Sequence, residues 1–193
     1  DANSDQVYVG SFVLGMGFTM SEEEAQAMIA ADHKNKDVLF PYINGKELNT
    51  SPVQKPGRWI VNFFDWSEEK AKRYVQPYSY IKKTIYPERL EKSKQKSYSK
   101  IMTHWWLHWN DRIGLYHAIG RGQSFDRHKK GINENVVMPD RVLVMCRHTK
   151  ELMLSFVPNT AIFSDATNVF TLFSYNYFAL LQSSIHSVFA WKH

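Results

Sequence analysis

From Arg141 onward the hydrophobic period of this chain changes to two, and that change decides its class. Arg141–Arg147, Glu151–Val157, Ala161–Phe163 and Val169–Phe173 alternate or run in β-branched and aromatic residues, as strands do. Turn-forming residues separate them: His148-Thr149-Lys150, Pro158-Asn159 and Ser164-Asp165-Ala166. Ahead of them stand strand-like Gln6–Val13, Val38–Ile43 and Arg58–Phe64, interleaved with helical stretches at Ser21–Ala31 and from Ala71 to about Lys100. This order predicts an α+β fold, with a curved mixed or antiparallel sheet and flanking helices.

Local signals sharpen the pattern. Ser21 and Glu24 have capping-box spacing. Asn44-Gly45 reads as a turn and Ser67 as a helix cap. Ile81, Ile85 and Leu90 define the apolar face of the central helical stretch, and Pro87 begins a new helix or kinks the old one. Thr103–Trp109 reads as a pair of aromatic helical turns, and Tyr177–Lys192 as an amphipathic helix bearing Phe178, Leu181, Ile185, Val188 and Phe189. The 193 residues fit one domain, 1–193. Within it we expect a basic helical insertion at about 77–110, a strand-rich half at about 136–174 and a docking helix at about 177–192. The chain opens on Asp1 without an initiator Met, which reads as a domain excised from a larger protein.

Cys146 is the only cysteine, so the chain can form no internal disulfide and no cysteine-based zinc site, which fits a reducing, cytoplasmic (bacterial) setting. No apolar run is long enough to span a bilayer, and no membrane partner is expected. The net charge of +5 is unevenly placed. Residues 1–81 hold 8 basic against 11 acidic side chains, residues 82–130 hold 12 against 4, and residues 131–193 hold 4 of each. A segregated basic block is the footprint of a polyanion partner, and equally of a solvated lysine-rich face.

The glycines of "GSFVLGMGFTMSEEEA" raise the question of a phosphate loop. Gly15-Met-Gly17 lacks the third glycine of a dinucleotide fingerprint and no Lys-Ser or Lys-Thr follows. Glu22, Glu23 and Glu24 suit the macrodipole of the helix behind it but repel a pyrophosphate. His104 and His108 are spaced as paired metal ligands on a helix, yet Trp-Trp-Leu between them supplies no base and no third ligand is evident. Ser183, Ser184 and His186 lack an elbow motif. No catalytic residue, metal site or cofactor site emerges from this chain.

The basic, aromatic-interleaved centre remains. Lys82, Lys83, Arg89, Lys92, Lys94, Lys96 and Lys100, with Arg121, Arg127, Lys129 and Lys130 of the following loop, are the candidates for neutralising DNA phosphates. Arg147, His148, Thr149, Lys150, Ser164, Asp165, Thr167 and Asn168, at strand ends and turns, have the side-chain types that read base edges.

The blocks "GSFVLGMGFTMSEEEAQAMI", "VLFPYINGKELNTSPVQKPGRWIVNFFDW", "YPERLE" and "FALLQSSIHSVFAW" together resemble the target recognition domain of MmeI-like, type IIL restriction–modification enzymes and related N6-adenine DNA methyltransferases. The resemblance spans essentially the whole chain and implies a plan similar to the recognition domains of type I specificity subunits. It implies sequence-specific recognition of double-stranded DNA, with the target adenine oriented for a methyltransferase domain of the same polypeptide. The resemblance places S-adenosylmethionine in that domain and no cofactor here, and some members also cleave DNA. Bases are read from the later half, here about Ser124 to Ser174. Within it Arg147, Thr149, Lys150, Ser164, Asp165, Thr167 and Asn168 are the candidates. Other readings of the residues are a protein–protein interaction module whose basic face meets an acidic partner, and a small hydrolase using His186 or His104.

Overall fold

The structure is a computed structural model that describes residues 5–51, 53–128, 138–149, 152–184, 186 and 188. It is α+β, with two four-stranded sheets sharing one core. The first sheet is antiparallel and joins β1 (Val7–Val9), β8 (Thr167–Phe170), β5 (Arg141–Cys146) and β6 (Leu154–Pro158) in that spatial order. The second is mixed, in the order β2 (Thr19–Met20), β4 (Arg58–Val61), β3 (Leu39–Ile43) and β7 (Ile162–Phe163), with β7 parallel to β3. The alternating segments therefore divide between two sheets, because the chain passes from one to the other at residues 159–161 and returns through the turn at 164–166.

The helices are α1 (Glu22–Ala31), α2 (Gly45–Thr50), α3 (Glu68–Lys72), α4 (Val75–Thr84), α5 (Tyr86–Lys92), α6 (Ile113–Ala118) and α7 (Tyr175–Leu181). Ser21 and Glu24 cap α1 reciprocally, as their spacing predicts. Asn44-Gly45 is no turn between strands. Asn44 caps α2, its side chain accepting from Lys46 N while Glu47 reaches back to Asn44 N at 3.2 Å. The expected long central helix is three helices, and Pro87 stands in the first turn of α5 where its missing N–H costs nothing.

Arg89 replaces Leu90 on the apolar face. Ile81, Ile85 and Arg89 follow one another at four-residue spacing and are buried, whereas Leu90 is 50% exposed. The Arg89 guanidinium donates to the carbonyl oxygens of Trp105 at 2.8 Å and Val13 at 3.0 Å, with Leu107, Leu14 and His104 also in reach. Those bonds explain why Thr103–Trp109 forms only a 3-10 turn at Ile101–His104 and then a loop: carbonyls that a helix would bond to backbone N–H groups are taken by Arg89.

The glycines serve packing. Gly15 adopts φ 133°, and a Cβ there would come within 2.9 Å of Ile85 Cδ1. Thr84 Oγ1 donates to Gly17 O at 2.6 Å, so the loop is seated against α4 and α5. Gly10 is tighter still. It lies where β1 leaves the first sheet and meets the second, with Gly10 N donating to Thr167 O and Ser11 N to Phe163 O. A Cβ on Gly10 would stand 2.2 Å from Ser164 O. Gly114, inside α6, has only Tyr8 Cε1 nearby, at 3.5 Å. Gly10→Ala is therefore expected to lower stability by roughly 3 kcal/mol or more. Gly114→Ala is expected to raise it by up to about 1 kcal/mol through helix propensity. Urea unfolding of the two variants against the parent checks both signs.

Candidate nucleic-acid interface

The lysine-rich segment is built on the outer side of α4 and α5. Lys82 and Lys83 close α4, and Lys94, Lys96 and Lys100 follow α5; all five are exposed, and Lys92 is half-buried. Lys94 pairs with Glu91, and Lys92 lies over the Tyr98 ring at 5.3 Å. Among the described residues Lys82, Lys83, Lys96 and Lys100 have no ion-pair partner. Tyr98 stacks edge-on against Trp109, which is 41% exposed, so an aromatic pair borders the cations.

Arg89 and Arg121 do not belong to this surface, and their expected place among its duplex-phosphate contacts is corrected. Arg89 is 1% exposed and held by carbonyls, and burial lowers its pKa to about 10, leaving it charged at neutral pH. Arg121 is 5% exposed and donates through Nη1 to Asn159 O at 2.9 Å and Ala161 O at 2.6 Å. Both guanidinium groups are buried, unlike the exposed lysines. Lys129, Lys130 and Lys150 lie outside the described residues, as does most of the expected helix beyond Leu181.

Arg127 is exposed and anchored. Asp65 accepts from the backbone N–H groups of Asp126 at 2.7 Å, Arg127 at 2.9 Å and His128 at 3.0 Å, and its carbonyl accepts from Arg127 Nε. His128 Nδ1 completes the set at 2.8 Å. Burial alone would push the Asp65 carboxyl up, but these donors outweigh it and hold its pKa below the ordinary value. Asp65 was no candidate in the sequence, because its partners lie about sixty residues away with no shared motif.

At the far end of β5 and β8, the base-reading candidates divide by exposure. Arg147 is exposed, its backbone N–H donating to Ala166 O at 2.8 Å, which brings it beside the 164–166 turn. Asp165 and Asn168 are partly exposed. Thr149 is half-buried after β5. Ser164 and Thr167 are buried. Ser164 Oγ accepts from Ala166 N, and Thr167 Oγ1 donates to Ser164 O at 2.7 Å. These two build the turn, which corrects their expected place at base edges.

Of the histidine and serine candidates, His108 and Ser183 are held in structural hydrogen bonds. His108 is buried, with Nδ1 2.9 Å from Asp111 Oδ1 and Nε2 2.9 Å from Val61 O, while His104 is exposed. Asn62 Nδ2 donates to the same Asp111 oxygen. Ser183 Oγ donates to Leu180 O, and Gln182 bonds Leu152 O and Leu154 N, tying α7 to β6.

No protein-family model matches the chain, and no curated protein matches it in sequence. Its fold is similar to part of a solved restriction–modification enzyme. That structure, one of several with a similar fold, is the type IIL restriction–modification enzyme MmeI in complex with DNA. The likeness has a TM-score of 0.60 at 16% identity and covers 94% of this chain. The chain corresponds to 21% of that protein's length. Among the described residues, no helix is long and apolar enough to cross a membrane.

Two outcomes follow from the buried groups. Arg89→Met leaves several carbonyls without donors and is expected to cost at least about 3 kcal/mol, read by chemical denaturation. Asp65→Asn is expected to cost on the order of 2 kcal/mol at neutral pH, since charge-assisted hydrogen bonds are lost. Asp65 has a lowered folded pKa, so its contribution is present above the unfolded value of about 4 and lost as pH falls through the folded one. The gap between parent and variant melting temperatures should therefore close below about pH 4.

Proposed function

We propose that this chain is a sequence-specific double-stranded DNA recognition domain. Its parent would be an N6-adenine DNA methyltransferase or restriction–modification enzyme. The observation that carries the reading is a likeness, over 94% of this chain and 21% of the other, to a restriction–modification enzyme solved with DNA, in a chain whose basic segment exposes Lys82, Lys83, Lys94, Lys96 and Lys100. Lys82, Lys83, Lys96 and Lys100, with Lys92, Lys94 and Arg127, hold phosphates and set the register on the duplex. Arg147, Thr149, Asp165 and Asn168 read base edges, where a guanidinium, a hydroxyl, a carboxylate and an amide discriminate by donor and acceptor pattern. The domain orients the target adenine for a catalytic domain of the same cytoplasmic polypeptide, which binds S-adenosylmethionine. Tyr175, Tyr177 and Leu180 of α7, exposed and apolar, pack against that domain.

The test is duplex binding by fluorescence anisotropy across a potassium chloride series. Affinity should fall steeply with salt. The triple variant Lys82→Ala, Lys83→Ala, Lys96→Ala should flatten the log–log slope by about 0.9 for each phosphate that is no longer neutralised. Arg147→Ala should relax preference at one base position, at a cost of about 1–3 kcal/mol. Duplex affinity that is insensitive to salt, or unchanged in the triple variant, rejects the assignment.

A further inference from the structure

A cleft of about 680 Å3 opens between the β3–β4 face of the second sheet and the loop after α6, within the roughly 300–1,000 Å3 of small-molecule sites. It lies away from the α7 surface and is lined by none of the lysines assigned to the duplex. Its aromatic walls expose parts of Phe40, Trp59 and Tyr74, while Phe64 and Trp66 are buried behind them and Lys70 lies over the Trp66 ring at 3.6 Å. Trp66 and Tyr74 are packed at 5.5 Å between ring centroids, and Phe64 lies 5.9 Å from Trp66, so the wall is rigid.

Arg121 lines this cleft with an unspent charge. Its Nη1 is bonded to two carbonyl oxygens, but Nε and Nη2 have no hydrogen-bond partner among the described residues, and no carboxylate pairs with it. The guanidinium stacks over Phe40 at 5.4 Å, which holds it in place. A buried guanidinium with free donors is costly to keep empty and well suited to an oxyanion. Lys36, exposed at the rim, meets only His33 Nε2 among the described residues and adds positive potential. Asp37, the acid at this cleft, accepts from Tyr74 Oη. Gln123 is exposed at the edge with its amide unpaired among the described residues, offering a donor and an acceptor together.

Planar apolar walls, a fixed internal cation and an edge amide together match one ligand chemistry. We propose that this cleft binds a nucleotide, its base against the aromatic wall, its phosphate on Arg121 and its base edge toward Gln123. The same chemistry comes from a free mononucleotide or from an unpaired nucleotide of a DNA strand. The inference stands apart from duplex recognition, because a mononucleotide can fill the cleft whether or not the lysine face grips a duplex.

The experiment is calorimetric titration of the purified chain with each of the four deoxynucleoside monophosphates, and with deoxyadenosine and inorganic phosphate as component controls. Saturable one-to-one binding is expected for at least one nucleotide, with its nucleoside weaker by about tenfold or more because the anion has no counterpart there. Trp59→Leu should weaken binding by about tenfold, in line with the worth of base–aromatic stacking. Lys36→Glu, an exposed change that leaves the core untouched, should weaken it severalfold. Thermal melting of both variants confirms that they fold. A duplex with one bulged nucleotide is then used to compete: displacement of the mononucleotide assigns a strand as the source, and failure to displace assigns a free nucleotide. The proposal is overturned if none of the four nucleotides nor the bulged duplex binds, if nucleoside and nucleotide bind equally, or if affinity survives both variants. An acidic, tyrosine-containing peptide that binds where nucleotides do not overturns it as well.

Discussion

One guanidinium, that of Arg89, ties together three stretches: the glycine loop at Val13–Leu14, helix α5 and the aromatic segment at His104–Leu107. Water has been stripped from a permanent charge, and carbonyl dipoles replace it. The Phe18 ring, 4.8 Å from the guanidinium carbon, covers another side, and Phe18 in turn sits edge-on to His108, which is locked to Asp111. The lysine-bearing surface hangs from this knot on both sides, with α4 before it and the Lys94–Lys100 stretch after it. A buried cation thus positions the exposed ones.

Much of the architecture was legible because it depends on local chemistry. Ser21 and Glu24, Ser67 and Pro87 act over a few residues, and each does what its spacing implies. The period-two stretches after Arg141 are strands, although the sequence has no signal for their division into two sheets, since that depends on which edge Ile162–Phe163 finds. Asn44-Gly45 misled for a physical reason: the dipeptide suits a hairpin turn, and only Glu47 three residues on reveals the cap. Arg89 misled more deeply. Periodicity assigns a charged residue to solvent, and only a cluster of unpaired carbonyls from distant loops can draw it inward.

The site was legible in sign and not in detail. Counting charge located the basic segment, but counting cannot separate Lys82, which is exposed, from Arg121, which lies under Phe40 and Tyr116. Among the turn residues, side-chain type marked Arg147, Asp165 and Asn168 together with Ser164 and Thr167. The last two spend their hydroxyls on the turn itself. Asp65 shows the reverse case: an acid within an otherwise hydrophobic block organises the start of the basic loop and so shapes a surface of opposite sign.

The parallel pairing of β7 with β3 has a consequence for how the chain is made. A ribosome delivers Leu39–Ile43 long before Ile162–Phe163, so β3 emerges with one edge unpaired and its eventual cover still unsynthesised. Gly10 and Ser11 wait on the same late segment, since their partners are Phe163, Ser164 and Thr167. Such long-range closure makes folding slow, and an open apolar edge is a template for association with another chain. Pro41, in the middle of β3, removes one backbone donor from that strand while it waits. The nascent chain is thereby less able to recruit a stranger before β7 arrives.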